Sequence, residues 1–316
     1  MIRAATRLVN KFKQEPSVPL PQRRLLGLTA GTASGACFGV MVFLVHVTSG
    51  KVPASEVTFL RAICAVVLLL PFIARHGIQW LRQHALLLWT RSLIGAFSVL
   101  CLAWNLQHTS VGFANTLFNF APIVVVILGA LFGHEKIEPI RFVSILLVVA
   151  AGILFWHGSR SETSVVIWLV GLSGMSAAAI AYTLLKSLPS SWSPFDVTWC
   201  LSVATLPVAL IFKHGQWVAP SGNVRWMVVA ICMLSLAGYA LVNFSFRHLE
   251  LSTATALVPS AIIWGVLLDI KEHNYPAASG VVGCLLYVGA IICLAVRPSV
   301  AILNSQLADS VEALAE

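Results

Sequence analysis

The sequence predicts an all-α integral membrane protein of ten transmembrane helices, written as two inverted copies of a five-helix unit. Three observations carry this expectation. Of 316 residues, 58% are hydrophobic and only 10% charged, against roughly 25% charged residues in an ordinary soluble domain. Ten apolar runs are each long enough to cross about 30 Å of hydrocarbon. Finally, a spaced motif of Pro, Glu, Pro and Gly occurs twice.

Residues 1–24 form a tail with six cations: Arg3, Arg7, Lys11, Lys13, Arg23 and Arg24. This clustering suits a topogenic signal, and the charges form no basic stripe with interleaved aromatics, so no nucleic-acid partner is expected. The first span, 25–47, carries the small residues of "TAGTASGA" but stays apolar well beyond them. It therefore reads as a retained helix rather than a cleaved leader. The second span, 54–74, opens on "EVTF" and runs to Arg75-His76-Gly77; the third is 86–106. The fourth, 110–133, contains Pro122, and the fifth, 139–157, begins at Pro139, a residue suited to a first helical position. The sixth is 165–186; the seventh, 195–213, opens on "DVTW" and ends in His214-Gly215. The eighth is 224–246, the ninth, 251–270, contains Pro259, and the tenth, 276–297, begins at Pro276. Residues 298–316 form the second tail.

The repeat is read from "PIVVVILGALFGHEKIEP" (122–139) and "PSAIIWGVLLDIKEHNYP" (259–276). Pro122, Glu135, Pro139 and Gly152 recur at one constant offset as Pro259, Glu272, Pro276 and Gly289. "GTASG" (31–35) echoes "GLSG" (171–174), and His108 and His248 precede the fourth and ninth spans at a slightly larger offset. The units are 25–157 and 165–297. Five spans are an odd number, so the second copy enters from the opposite face. Such inverted copies place a binding site at their interface near the midplane, which each side reaches in turn. With the N-terminus inside, thirteen Lys and Arg fall on the cytoplasmic side and five outside, leaving out Arg61 and Arg91. Both termini are therefore expected in the cytoplasm.

Four stretches carry a family resemblance: "EVTFLRAICAVVLLLP" (56–71), "TRSLIG" (90–95), "SVGFANTLFNFAPIVVVILGALFGHEKI" (110–137) and "LSTATALVPSAIIWGVLLDIKEH" (251–273). Over residues 25–297 the chain resembles the drug/metabolite transporter superfamily in its ten-helix form with two EamA-type repeats. The Glu-Val-Thr-Phe-Leu-Arg stretch looks most like a bacterial branch that includes S-adenosylmethionine carriers. "VLLDIKEH" departs from the Gly-Glu pair usual at the end of the ninth helix. The resemblance implies a multi-pass protein of a bacterial inner membrane, with no cofactor. Its partners would be a small-molecule metabolite and the lipid bilayer; a monomer is compatible with the sequence, which sets no oligomeric state.

Pro122 and Pro259 cannot donate to the carbonyls four residues back, Phe118 and Thr255. In lipid those carbonyls must face a cavity, a neighbour or a ligand, so the prolines are expected helix kinks. Asn115 and Asn119 share the face of Pro122; Ser252 and Thr255 share that of Pro259. Such polar faces serve either as cavity walls or as interhelical glue. Tyr239 and Asn243 on the eighth span and Tyr182 on the sixth extend the set, with Ser34 and Phe38 on the first. Trp264, read as deep, either stacks on a ligand or fills core. Arg61, five positions past Glu56, either attracts an anionic substrate group or snorkels or pairs with Glu56 at the membrane edge. Arg91 reads as a cytoplasmic anchor. The expected substrate-binding residues are Asn115, Phe118, Asn119, Tyr182, Tyr239, Asn243, Thr255, Trp264 and Arg61.

Enzyme chemistry finds no support. All nine histidines lie in links or near span ends without HExxH, the seven cysteines contain no CxxC, and GxSxG and phosphate loops are missing. No metal site is expected. A channel is the rival class, but neither a filter motif nor a charged ring occurs. The expectation is a secondary carrier, with S-adenosylmethionine or a related nucleoside–amino acid compound as leading substrate. An exporter of amino acids or amphipathic drugs is the alternative.

Overall fold

The computed structural model describes residues 20–76, 85–109, 164–188 and 192–249 (apart from 214 and 216), 120–131 and 251–261, and scattered positions between 114 and 154 and from 264 to 290. The α-helices are α1 (Leu20–Val47), α2 (Ala54–His76), α3 (Ala85–His108), α4 (Ala121–Leu131), α5 (Val165–Lys186), α6 (Pro194–Ile211), α7 (Gly222–His248) and α8 (Leu251–Leu257). Among the described residues there is no strand. Six helices, α1, α2, α3, α5, α6 and α7, are long and apolar enough to cross a membrane. Their bounds lie within a few residues of expected spans one to three and six to eight. This agreement follows from the backbone: in hydrocarbon a helix satisfies every peptide group within the segment, so run length dictates helix length. Spans five and ten lie mostly outside the described residues.

Spans four and nine are interrupted near their prolines. The helical residues Leu117 and Phe118 are separated from α4 by a turn at Phe120, whose N–H reaches the Leu117 carbonyl at 3.3 Å. Pro122 therefore sits in the first turn of α4, where a missing N–H forfeits no helical bond. In span nine, α8 passes into a 3-10 turn, Val258–Ser260, that contains Pro259. At the start of α6, Asp196 Oδ2 accepts from the Ser193 N–H (2.9 Å) and Ser193 Oγ from the Phe195 N–H (3.2 Å). This reciprocal cap fixes where the chain turns into the membrane.

The strongest helix pairs are α1 on α7, α3 on α5 and α2 on α6, followed by α3 on α6 and α2 on α7. Individual contacts recur between the halves at the offset that separates His108 from His248. A Cβ on Gly31 would meet Leu257 and Ser245; one on Gly171 would meet Leu117 and Asn105. Each residue of the first set is related to its counterpart in the second by that same offset. Likewise His46 Nδ1 contacts the Leu106 carbonyl at 3.0 Å, and at the equivalent place Lys186 Nζ donates to the Phe246 carbonyl at 3.2 Å. Small residues at these crossings let helix backbones approach closely, which substitutes for the hydrophobic drive that lipid does not supply.

Candidate functional site

Between these helices lies a cavity of about 920 Å³ of empty space, part of it continuous with the exterior. Phe38 and Met41 of α1, Arg91 and Val99 of α3, Tyr182 of α5, Leu201 of α6 and Tyr239 of α7 face it, together with Phe118, Pro122 and Thr255 from spans four and nine. Of the expected substrate residues, the structure thus brings Phe118, Tyr182, Tyr239 and Thr255 together around one space. The Phe38 and Tyr239 rings meet edge to face, 5.0 Å between centroids, and Tyr182 stacks on Phe246 at 5.0 Å. The wall is mostly apolar with a few polar groups, the usual makeup of a small-molecule site.

The lining is paired across the two halves in the register of His108 and His248. Phe38 and Ala178, Met41 and Ala181, Val42 and Tyr182, Val99 and Tyr239, Phe118 and Val258, and Ala121 and Ala261 all face the cavity. Phe118 thus corresponds in space to Val258, whereas the shorter offset of the proline motif aligns it with Thr255. The two offsets differ by nearly one helical turn, so both registers keep the same face. In five of these six pairs a large side chain faces a smaller one, so the cavity is paired in position but unequal in shape.

Arg61 is buried, at 6% exposure. It neither snorkels nor pairs with Glu56: Nη1 lies 3.5 Å from Met41 Sδ and 3.4 Å from Ser235 Oγ, and the guanidinium lies 6.0 Å from the Tyr239 ring centroid. Glu56 instead accepts from the Val218 N–H at 3.0 Å. Residues five apart on a helix are turned about 140° from each other, so Glu56 and Arg61 look in different directions. Arg61 lines a smaller cavity that shares Val99, Leu201 and Tyr239 with the central one.

Arg91 corrects its reading as a cytoplasmic anchor. It is 3% exposed, faces the central cavity, and reaches Asn243 Oδ1 through Nη2 at 3.5 Å. Among the described residues its Nε and Nη1 find no acceptor. The sequence signal was a single Arg among apolar residues near a span's start, which anchors and buried ligands share. Asn243 stands apart from the central cavity's lining set. Its Nδ2 donates to Thr198 Oγ1 at 2.9 Å, tying α7 to α6. Trp264, read as deep, is 40% exposed. It instead packs over Gly39, where a Cβ would come 2.6 Å from Trp264 Cβ. Asn115 and Asn119 lie outside the described residues. No group of three or more His, Cys, Asp or Glu able to hold a metal occurs among the described residues.

Residues 25–156 match the EamA-like transporter family. The pseudopaline exporter of Pseudomonas aeruginosa is 29% identical over 276 residues, covering 85% of this chain and 95% of that protein. A probable terminal-alkyne amino-acid exporter of Streptantibioticus cattleyicolor is 24% identical, covering 61% of this chain and 69% of its own length. Solute carrier family 35 member G1 of mouse is 23% identical, covering 83% of this chain and 76% of its own. One solved crystal structure shares the fold with a TM-score of 0.67 at 17% identity, over 86% of this chain and 96% of its own. Residues 25–156 are therefore an EamA-like transporter unit, and the protein is a multi-pass membrane transporter of small metabolites and not an enzyme.

Proposed function

We propose that the protein is a secondary carrier that moves a small amphipathic metabolite by alternating access between two inverted repeats, residues 25–157 and 165–297. The observation that carries this reading is the central cavity, whose walls are drawn from both units and paired at one fixed offset along the chain. Two copies inserted in opposite senses can exchange conformations, so the same walls open first to one side and then to the other. The excess of Lys and Arg supports both termini on the cytoplasmic side, and the family resemblance supports a bacterial inner membrane. A single chain supplies both halves of the cavity, so a monomer suffices.

The aromatic rings of Phe38, Phe118, Tyr182 and Tyr239 suit a ligand with a flat or apolar body. S-adenosylmethionine or a related nucleoside–amino acid compound has such a body joined to a polar head. Export of an amino-acid-like metabolite is the second reading, favoured by the names of the two bacterial exporters among the relatives. Purified protein in liposomes distinguishes these readings. Labelled S-adenosylmethionine and amino acids are offered singly, each against a panel of unlabelled competitors. Saturable uptake accelerated by unlabelled substrate inside the vesicle is expected. Linear uptake without such trans-stimulation would make the protein a channel.

A further inference from the structure

We infer that Arg91 is the anchor for a carboxylate on the transported metabolite, so that the carrier selects acids and zwitterions over amines of the same shape. The inference deepens the carrier reading and rests on it. Three observations lead here. Arg91 is 3% exposed on a helix long enough to span the membrane, yet it faces the central cavity. Its Nε and Nη1 have no acceptor among the described residues, and its remaining nitrogen makes one long contact, 3.5 Å, to the neutral Asn243 amide. The described buried carboxylates are occupied elsewhere: Glu56 holds the Val218 N–H and Asp196 caps α6.

A guanidinium cannot shed its proton to escape burial. It needs a counter-charge, and an intramembrane cation without one marks a ligand pathway. Its position within the repeat points the same way. In the register that pairs the cavity walls, the counterpart of Arg91 is Ile231, fully buried, so packing at the equivalent place is met by an apolar side chain. The charge is an addition to the paired frame. Arg61 is a second such addition, its counterpart being Leu201, and both cations flank Tyr239 and Leu201 from neighbouring cavities. Two positive charges beside one cavity repel an amine and attract a carboxylate. An acid entering beside Tyr182 and Tyr239 accepts from Nη1 as Arg91 swings off Asn243, and its apolar body rests on the rings. The Asn243–Thr198 bond keeps Asn243 in place as the parking partner for Arg91 when the cavity is empty.

The test uses the full chain in liposomes with matched probes. L-phenylalanine is set against phenethylamine, L-methionine against 3-(methylthio)propylamine, and S-adenosylmethionine against its decarboxylated form. Each pair differs only in the carboxylate. In the parent, the acid of a transported pair should compete at least about tenfold better than the amine, the scale of one charge-assisted hydrogen bond. Arg91→Gln should abolish that preference, and Arg91→Lys should restore part of it. Arg91→Met should melt at or above the parental temperature, because it removes an unpaired buried charge. Equal competition by acid and amine in the parent overturns the inference and leaves the carrier reading standing. A preference that survives in Arg91→Gln also overturns it. Failure to move any probe saturably overturns both.

Discussion

Replacing Gly39 by alanine should loosen the contact between α1 and span nine. A Cβ added there would sit 2.6 Å from the Ala261 carbonyl oxygen and 2.6 Å from Trp264 Cβ. Carbon contacts settle at about 3.5–4.0 Å, so roughly an ångström must be recovered by moving one backbone from the other. Neither obstacle can rotate away, since one is main chain and the other a Cβ held by its own helix. Overpacking of this kind costs about 1–3 kcal/mol, of which the better helix propensity of alanine returns up to about 1 kcal/mol. The thermal midpoint of the detergent-solubilised protein should therefore fall by several degrees, on the order of 2–8 °C. Transport should fall as well, because Phe38 and Met41, on either side of Gly39, are cavity walls. Gly238→Ala is the internal comparison. Its nearest neighbours are three atoms of the Phe38 ring at 2.9–3.1 Å, a side chain that can swing toward the cavity. That variant should lose transport with a smaller fall in midpoint. If Gly39→Ala melted and transported as the parent does, close backbone packing at this crossing would not hold the bundle together.

Asn243→Ala and Thr198→Val should each lower stability, with a coupling of about 0.5–1.7 kcal/mol in a double-mutant cycle; zero coupling would mean the 2.9 Å bond contributes nothing. Pro122→Ala should let α4 extend backward through the turn at Phe120, reducing transport more than expression. A parental transport rate would count against an interrupted helix as part of the cavity. Cysteines placed in the 158–164 link should react with impermeant reagent from outside, while those near either terminus should not. A terminus labelled from outside would overturn the assignment from charge.

The sequence alone determined the class and the bounds of six membrane-length helices, because hydrocarbon leaves a chain few ways to satisfy its peptide groups. It also determined the kinship of the two halves, visible in matched prolines, glycines and histidines. Several cavity residues were legible for the same reason: Tyr182, Tyr239, Phe118 and Thr255 are polar or aromatic residues in otherwise apolar runs. Tertiary structure decided what depends on the rotation and tilt of each helix, which are set by packing against neighbours. Arg91 stands near the start of its predicted span, where position along the chain cannot separate an anchor at the interface from a buried charge. Packing of α3 on α5 and α6 turns it inward. Glu56 and Arg61 look like a pair in one dimension and are turned apart by the helical repeat. Trp264 is central in its apolar run yet exposed, because depth in the membrane and depth in the bundle are different coordinates. The alignment of Phe118 with Val258 rests on both facing one cavity, and a repeat counted along the chain cannot distinguish a shift of nearly one turn.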